Sequence, residues 1–164
     1  MALPNKILPG FSAALYAQPT ASPTPLTTSA LSTVATVSAL AIPANLLPVE
    51  AIPAFGQDDA VASFSVAGSR QSDKIPTQSA PTSMTITAAW NPSDAMLLLI
   101  RGDAYSGTVD RTYIISATDG TNTVYYAFNG RASEFKIDAA PGAESKCTFT
   151  VHPRGNQYGW SNTI

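Results

Sequence analysis

The stretch RTYIISATDGTNTVYYAFNGRASEFKIDAAPGAESKCTFTVH, residues 111–152, decides the fold class. Two runs rich in β-branched and aromatic residues, 111–118 and 121–128, flank Asp119-Gly120. That dipeptide accepts the positive φ values a tight hairpin turn demands. Asn129-Gly130 then predicts a second turn or a bulge. Residues 134–140 alternate cleanly, with Phe135, Ile137 and Ala139 on the inward face and Glu134, Lys136 and Asp138 on the outward one, the pattern of a half-buried strand. Pro141-Gly142 turns the chain again. Residues 146–152 follow, with Cys147, Phe149 and Val151 on the apolar face. This part of the chain therefore predicts a succession of strands.

Upstream of that block, Asn91-Pro92-Ser93-Asp94 opens the one good helix pattern, running to about Ala104. Asn91 is the expected N-cap and Pro92 the first helical residue, with Asp94 favourably placed near the positive end of the dipole. Met96 to Ile100 are continuously apolar, so the helix is expected to be buried on several sides, and Gly102 and Gly107 mark its exit. Residues 83–90 read as a strand with Met84, Ile86, Ala88 and Trp90 on one face. Residues 61–67 read as another, and the polar residues 68–81 between them as a long loop, which makes a long hairpin of the three.

The first third differs in texture. Residues 11–17 alternate as a strand, and residues 18–28, with Pro19, Pro23 and Pro25, read as an extended connector. Residues 31–42 are rich in Ser, Thr and Val and favour a strand over a helix. Pro43, Pro48 and Pro53 recur at five-residue spacing. Proline donates nothing to a ladder, so residues 44–54 are expected to lie extended along something else rather than form a central strand. The order of strands, one helix, then more strands predicts a mainly β chain, a β-sandwich or barrel with one packed α-helix. Residues 1–57 are read as an extended, proline-rich arm or first strands used in assembly. Residues 58–164 are read as the β-sandwich core, with its helix near 92–104.

Composition points toward association. Only 12% of residues are charged, against roughly 25% in an average soluble domain. The deficit is concentrated before Asp58, where Lys6 and Glu50 are the only charges. Charge is depleted at the centres of protein interfaces because it must be desolvated there, so this surface is expected to be covered by neighbours. A net charge of −2 and a pI near 5.1, with no Lys/Arg cluster, argue against binding nucleic acid through its phosphates. Residues 7–17 mimic a signal segment, but Pro4, Pro9 and Gly10 break it and its basic region is Lys6 alone. Residues 26–42 carry too many hydroxyls for a spanning helix, so no membrane association is expected.

The search for chemistry yields little. Cys147 and His152, each the sole representative of its type, alternate onto opposite faces of one strand and do not converge as a nucleophile and base. Cys147 is expected in the core and His152 at the surface or an interface. No G-x-S-x-G elbow, zinc spacing or nucleotide-binding motif occurs. Asp58-Asp59 is a weak cation candidate, better read as a solvated loop. Asp103, Asp110, Asp119, Glu134 and Asp138 show no spacing that selects a catalytic pair. Tyr125, Tyr126 and Phe128 read as core and interface residues. Tyr158 and Trp160 sit in what the surrounding Gly155, Asn156, Gln157 and Gly159 mark as an irregular tail, where they are candidate interface anchors. The reading is of a non-enzyme with no cofactor and no metal.

The order of features from Phe64 onward resembles the major tail tube proteins of long-tailed (siphovirus-type) bacteriophages. It comprises a strand, a polar loop holding Gly68-Ser69-Arg70 and Asp73-Lys74-Ile75-Pro76, and a strand ending in Trp90-Asn91-Pro92-Ser93-Asp94. A leucine-rich helix, the Asp119-Gly120 hairpin, Phe128-Asn129-Gly130 and two alternating strands follow. The resemblance implies a β-sandwich with one helix that forms hexameric rings, stacked into a tube through which DNA passes without specific binding. It further implies partners such as tape measure and terminator proteins, assembly in the host cytoplasm and residence in the virion tail. Arg70, Gln71, Asp73, Lys74 and Ile75 would contact the adjacent ring. The alternative reading is another virion or surface β-module, a head decoration or a receptor- or carbohydrate-binding domain.

Overall fold

A computed structural model describes residues 12–19, 34–64, 73–118, 122–139 and 144–161, without the side chains at 34, 57–59, 64, 73–79 and 155–161. Its centre is a seven-stranded antiparallel sheet in the order β2-β1-β7-β8-β9-β6-β3. The strands are β1 (Ser12–Ala17), β2 (Leu46–Leu47), β3 (Val49–Ala51), β6 (Met84–Ala89), β7 (Arg111–Thr118), β8 (Thr123–Asp138) and β9 (Lys146–Ser161). The two edge strands are consecutive in sequence, separated by Pro48 alone. Leu46 and Leu47 pair with Tyr16 and Leu15, while Val49 and Ala51 pair with Ala88 and Thr87. At the changeover Ala89 N donates to Pro48 O at 2.9 Å. Residues 46–51 thus act as one broken strand that spans both edges and nearly closes the sheet into a barrel. Closure of this kind hides edge groups that would otherwise invite pairing with other chains. Of residues 44–54, expected to lie extended, 46–51 form this seam, and a 3-10 turn at Pro43–Asn45 precedes it.

One face of the sheet and helix α2 (Ala95–Ser106) enclose the main core. Leu15, Leu47, Met84, Ile86, Tyr113, Ile115, Phe128, Phe149 and Val151 line it, with Met96, Leu97 and Ile100 from the helix. The helix begins three residues later than the expected site. Asp94 is its N-cap, with Oδ1 accepting from Met96 N and Leu97 N at 2.9 and 3.1 Å. Asn91 instead accepts from Ser93 N in a turn that contains Pro92. Gly107 ends the helix in the left-handed region (φ 61°), where glycine carries no Cβ penalty, whereas Gly102 lies inside it. Burial is also less complete than the continuous apolar run implied, since Leu98 is 42% exposed.

Residues 31–42 were expected to favour a strand, and the structure places helix α1 (Val34–Leu40) there. Packing overrides propensity in this case. Val37 is buried against Ile114 and Ala127 on the outer face of β7 and β8, with Leu40 and Ala41 alongside. The i, i+3, i+4 spacing of 37, 40 and 41 is a helical stripe.

The hairpin around residues 68–81 is also rearranged. Strand β4 (Gln57–Phe64) pairs with β5 (Asp73–Pro81) in a separate two-stranded ribbon, and β6 pairs with β9 in the main sheet. Most of the expected loop is therefore strand. Val61 lies opposite Pro76 and Gln57 opposite Pro81, with a register shift between Asp59 and Val61. Edges and bulges are where a sheet tolerates proline.

Asn129-Gly130 makes no turn. β8 runs on through it, and the irregularity is an offset in β9, where pairing jumps from Phe128↔Gln157 to Asn129↔Arg154. Gly130 is required by close approach, because a Cβ there would meet Val151 Cγ1 at 3.0 Å and His152 O at 3.2 Å. A second shift, between Ser133 and Lys136, places Glu134 at φ 55°. It delivers Phe135 to the core, stacked on Phe149 and edge-on to Trp90. Ile137, expected inward, pairs with buried Cys147 but is 41% exposed, as the strand has run past that aromatic cover. Ala139 is exposed as well. The tail read as irregular continues β9, so that Tyr158 and Trp160 pair with Ala127 and Tyr125. Asp119-Gly120 lies outside the described residues, but the antiparallel hairpin it implied is present, with Thr118 opposite Thr123.

Candidate functional site

Cys147 is buried against Ala88 and Phe149 in the core. Burial pushes its thiol pKa up, the opposite of what a thiolate nucleophile needs. His152 lies on the exposed face and bridges two hydroxyls, with Ser83 Oγ 2.8 Å from Nδ1 and Ser133 Oγ 2.8 Å from Nε2. A neutral imidazole donates at one nitrogen and accepts at the other, and a hydroxyl satisfies either role. The arrangement ties the approach to β6 to β9 and β8. Both ring nitrogens are occupied by serines, so the carboxylate that would orient a catalytic histidine has no place in it.

Of the carboxylates weighed as catalytic candidates, Asp103, Asp110 and Glu134 are engaged in other contacts. Asp103, in the last turn of α2, receives Arg111 Nε at 2.5 Å and Nη2 at 3.0 Å. Arg111 Nη1 donates to Gln18 O at 2.7 Å. This buried fork fastens the end of α2, the end of β1 and the start of β7 to one guanidinium, and bidentate geometry makes it directional. Beside it the Tyr113 hydroxyl is buried, and it alone among the buried side-chain polar atoms described has no hydrogen-bond partner. Burial, reinforced by Asp103 and opposed by Arg111, pushes its phenol pKa well up. Asp110 bridges Arg131 Nε (2.8 Å) and Arg154 Nη1 (2.7 Å). Arg131 also donates to Gly107 O and Thr108 O beyond the helix end. Glu134 accepts from Thr150, Asp138 is exposed, and Asp119 lies outside the described residues. Sequence reasoning missed the Arg111–Asp103 anchor. The available signal was a lone charge at the head of an otherwise apolar strand.

Among the described residues there is no pocket and no group of three or more His, Cys, Asp or Glu placed to hold a metal. No helix among them is long and apolar enough to cross a membrane. Asp58 and Asp59 fall within β4 rather than a loop. Two exposed surfaces are prominent among the described residues.

The first is the β4–β5 ribbon. Ala60, Val61, Ala62 and Ser63 are all exposed, Val61 at 54%. Both faces of this part of the strand meet solvent, and a lone two-stranded ribbon is marginally stable in water. Asp73, Lys74 and Ile75 lie on it, opposite Phe64, Ser63 and Ala62. Arg70 and Gln71 lie outside the described residues. The second surface is the outward side of α2, where Ala95, Leu98, Gly102 and Tyr105 are exposed at helical spacing. Tyr105, the most exposed large apolar residue described at 70%, lies beneath Arg101, whose guanidinium carbon is 5.6 Å from the ring centroid. The 95, 98, 102, 105 spacing was present in the sequence, but the continuous run from Met96 masked it.

Neither a family model nor a curated protein matches this chain in sequence. Solved structures match it in fold. A chain from the anti-feeding prophage (AFP) baseplate, determined by cryo-EM with six-fold symmetrisation, superposes with a TM-score of 0.62 at 12% identity, covering 100% of both chains. The SPP1 tail tube protein, from a hybrid solid-state NMR and cryo-EM structure, superposes with a TM-score of 0.53 at 10% identity, covering 92% of this chain and 76% of that one. At such identities the shared property is the fold: a nearly closed antiparallel sheet with one main helix, of the type found in a phage tail tube and a related baseplate.

Proposed function

We propose that this chain is a non-enzymatic structural protein of a phage tail, whose copies form hexameric rings that stack into the tail tube and conduct DNA during ejection. The observation that carries this reading is full-length agreement in fold with a baseplate component solved under six-fold symmetry, joined by agreement with a tail tube protein. The surface chemistry supports it. Net charge is −2, and a like-signed wall repels phosphates where a basic one would hold them. The ribbon, with Asp73, Lys74 and Ile75 and the neighbouring Arg70 and Gln71, serves as the contact to the next ring. Tyr158 and Trp160 serve as anchors at the tail of β9. Heterologous contacts that close give rings, and those that do not close give filaments; a tube uses both. Tape measure and terminator proteins would complete the assembly, which forms in the host cytoplasm and resides in the virion.

Negative-stain microscopy with light scattering of the purified chain tests the reading. Hollow tubes of repeating discs are expected, and a stable monomer at high concentration would count against it. Deleting residues 71–78 removes most of β5. The expected outcome is monomers or rings without tubes, and normal tubes from that variant would remove the ribbon from the ring-to-ring contact.

A further inference from the structure

The ribbon and the α2 stripe complement each other, and within one copy they have different neighbours: the ribbon leans on β9, while α2 packs on β8 and β2. We propose that the exposed face of α2, made by Leu98, Gly102 and Tyr105, is the docking surface for the β4–β5 ribbon of a second copy of this chain. The inference rests on the assembly reading above and adds to it the surface that receives the ribbon.

Three observations carry it. Both partners are apolar and exposed at their centres, Val61 on the ribbon and Leu98 with Tyr105 on the helix. Association removes both from water and supplies the ribbon with the cover that a two-stranded sheet lacks. The charge at the centre of the helix stripe is opposite in sign to the net charge of the ribbon strands. The two strands of the ribbon carry three carboxylates, Asp58, Asp59 and Asp73, against one lysine, Lys74. Within the stripe the charge is Arg101, lying over Tyr105; Asp103 is paired with buried Arg111, and Asp94 keeps its negative charge as the N-cap at the far end of the helix. Opposite fields favour the heterologous pairing over ribbon-on-ribbon or helix-on-helix contacts, where like charges would meet. Finally, Gly102 leaves a side-chain gap between Leu98 and Tyr105, with nothing within 4 Å of where its Cβ would project. The stripe is therefore open to an approaching side chain at that position. A heterologous contact of this kind propagates from copy to copy, as rings and tubes need.

The test mixes two singly substituted chains, Val61→Cys and Leu98→Cys, and treats them with a short bismaleimide; Cys147 is buried and serves as the internal background. Denaturing gels should show a covalent dimer in the mixture and not in either chain alone, and a ladder from the doubly substituted chain. A dimer from Val61→Cys alone, or a purely intramolecular link in the double variant, would overturn the proposal. In parallel, Tyr105→Asp and Leu98→Asp should raise the concentration for half-maximal assembly about tenfold or more, as loss of an interface anchor does. Their circular dichroism and melting should match wild type, since both positions face solvent. Wild-type tubes together with undiminished assembly of both variants would refute the docking surface and leave the tail-tube reading intact. A wild-type chain that never assembles would refute both.

Discussion

Strands β7 and β4 are each eight residues long and antiparallel to their neighbours, yet they live in opposite environments. β7 reads RTYIISAT and is buried on both faces from Arg111 to Ser116, by α2 and the main core on one side and α1 on the other. β4 reads QDDAVASF, pairs only with β5, and exposes Ala60 to Ser63. The first strand holds the subunit together, and the second is left uncovered by the residues described. The difference teaches where this chain places its free energy. β7 is the structural axis, whereas the described residues of the same chain leave Ala60 to Ser63 of the ribbon exposed.

That contrast can be broken most severely at Arg111. Arg111→Ala leaves the Asp103 carboxylate buried without its fork and releases Gln18, and should cost about 3–5 kcal/mol in unfolding free energy. Urea denaturation followed by tryptophan fluorescence measures it, and a loss under about 1 kcal/mol would show that water replaces the guanidinium. A smaller and opposite effect is expected at Tyr113. Tyr113→Phe removes a buried hydroxyl that has no partner and should stabilise by roughly 1 kcal/mol. The folded phenol pKa is raised, so its contribution is fully present below the unfolded value of about 10 and is lost as pH rises beyond it. The variant's advantage over wild type should therefore stay constant below about pH 9 and widen above pH 10; parallel curves would place the hydroxyl in contact with water. The smallest effect on stability belongs to the ribbon. Val61→Asp should change unfolding free energy by no more than about 0.5 kcal/mol while lowering tube yield, and a large drop in melting temperature would mean that the ribbon is packed within its own subunit.

Local pattern located the strands β7, β8 and β9, because β-branched and aromatic runs there are bounded by turn residues. Alternation set the face of residues near the middle of the sheet. Phe135, Cys147, Phe149 and Val151 fell on the expected face. The helix was located with its start three residues early, since Asn91 and Asp94 are both competent caps and only the turn at Pro92 selects Asp94. Residues 34–40 were misread because Ser, Thr, Val and Ala suit strand and helix alike. The deciding contact, Val37 on Ile114 and Ala127, joins residues far apart in sequence. Residues 73–81 were misread because two prolines disguise a strand that has an open edge. Of the candidate surfaces, Asp73 to Ile75 were read as part of a loop and lie in strand β5, and the α2 stripe was hidden inside a longer apolar run.

The sequence by itself determined a mainly β chain with one capped helix, a low-charge surface and a single histidine and cysteine kept on opposite faces of a strand. These follow from alternation, capping and composition, which act over a few residues at a time. Only the tertiary structure decided that residues 46–51 bridge both edges of the sheet, that Arg111 gathers three segments, and that Val61 and Leu98 remain uncovered. Each of those depends on which distant elements meet, and that is settled by burial and hydrogen-bond satisfaction across the whole subunit.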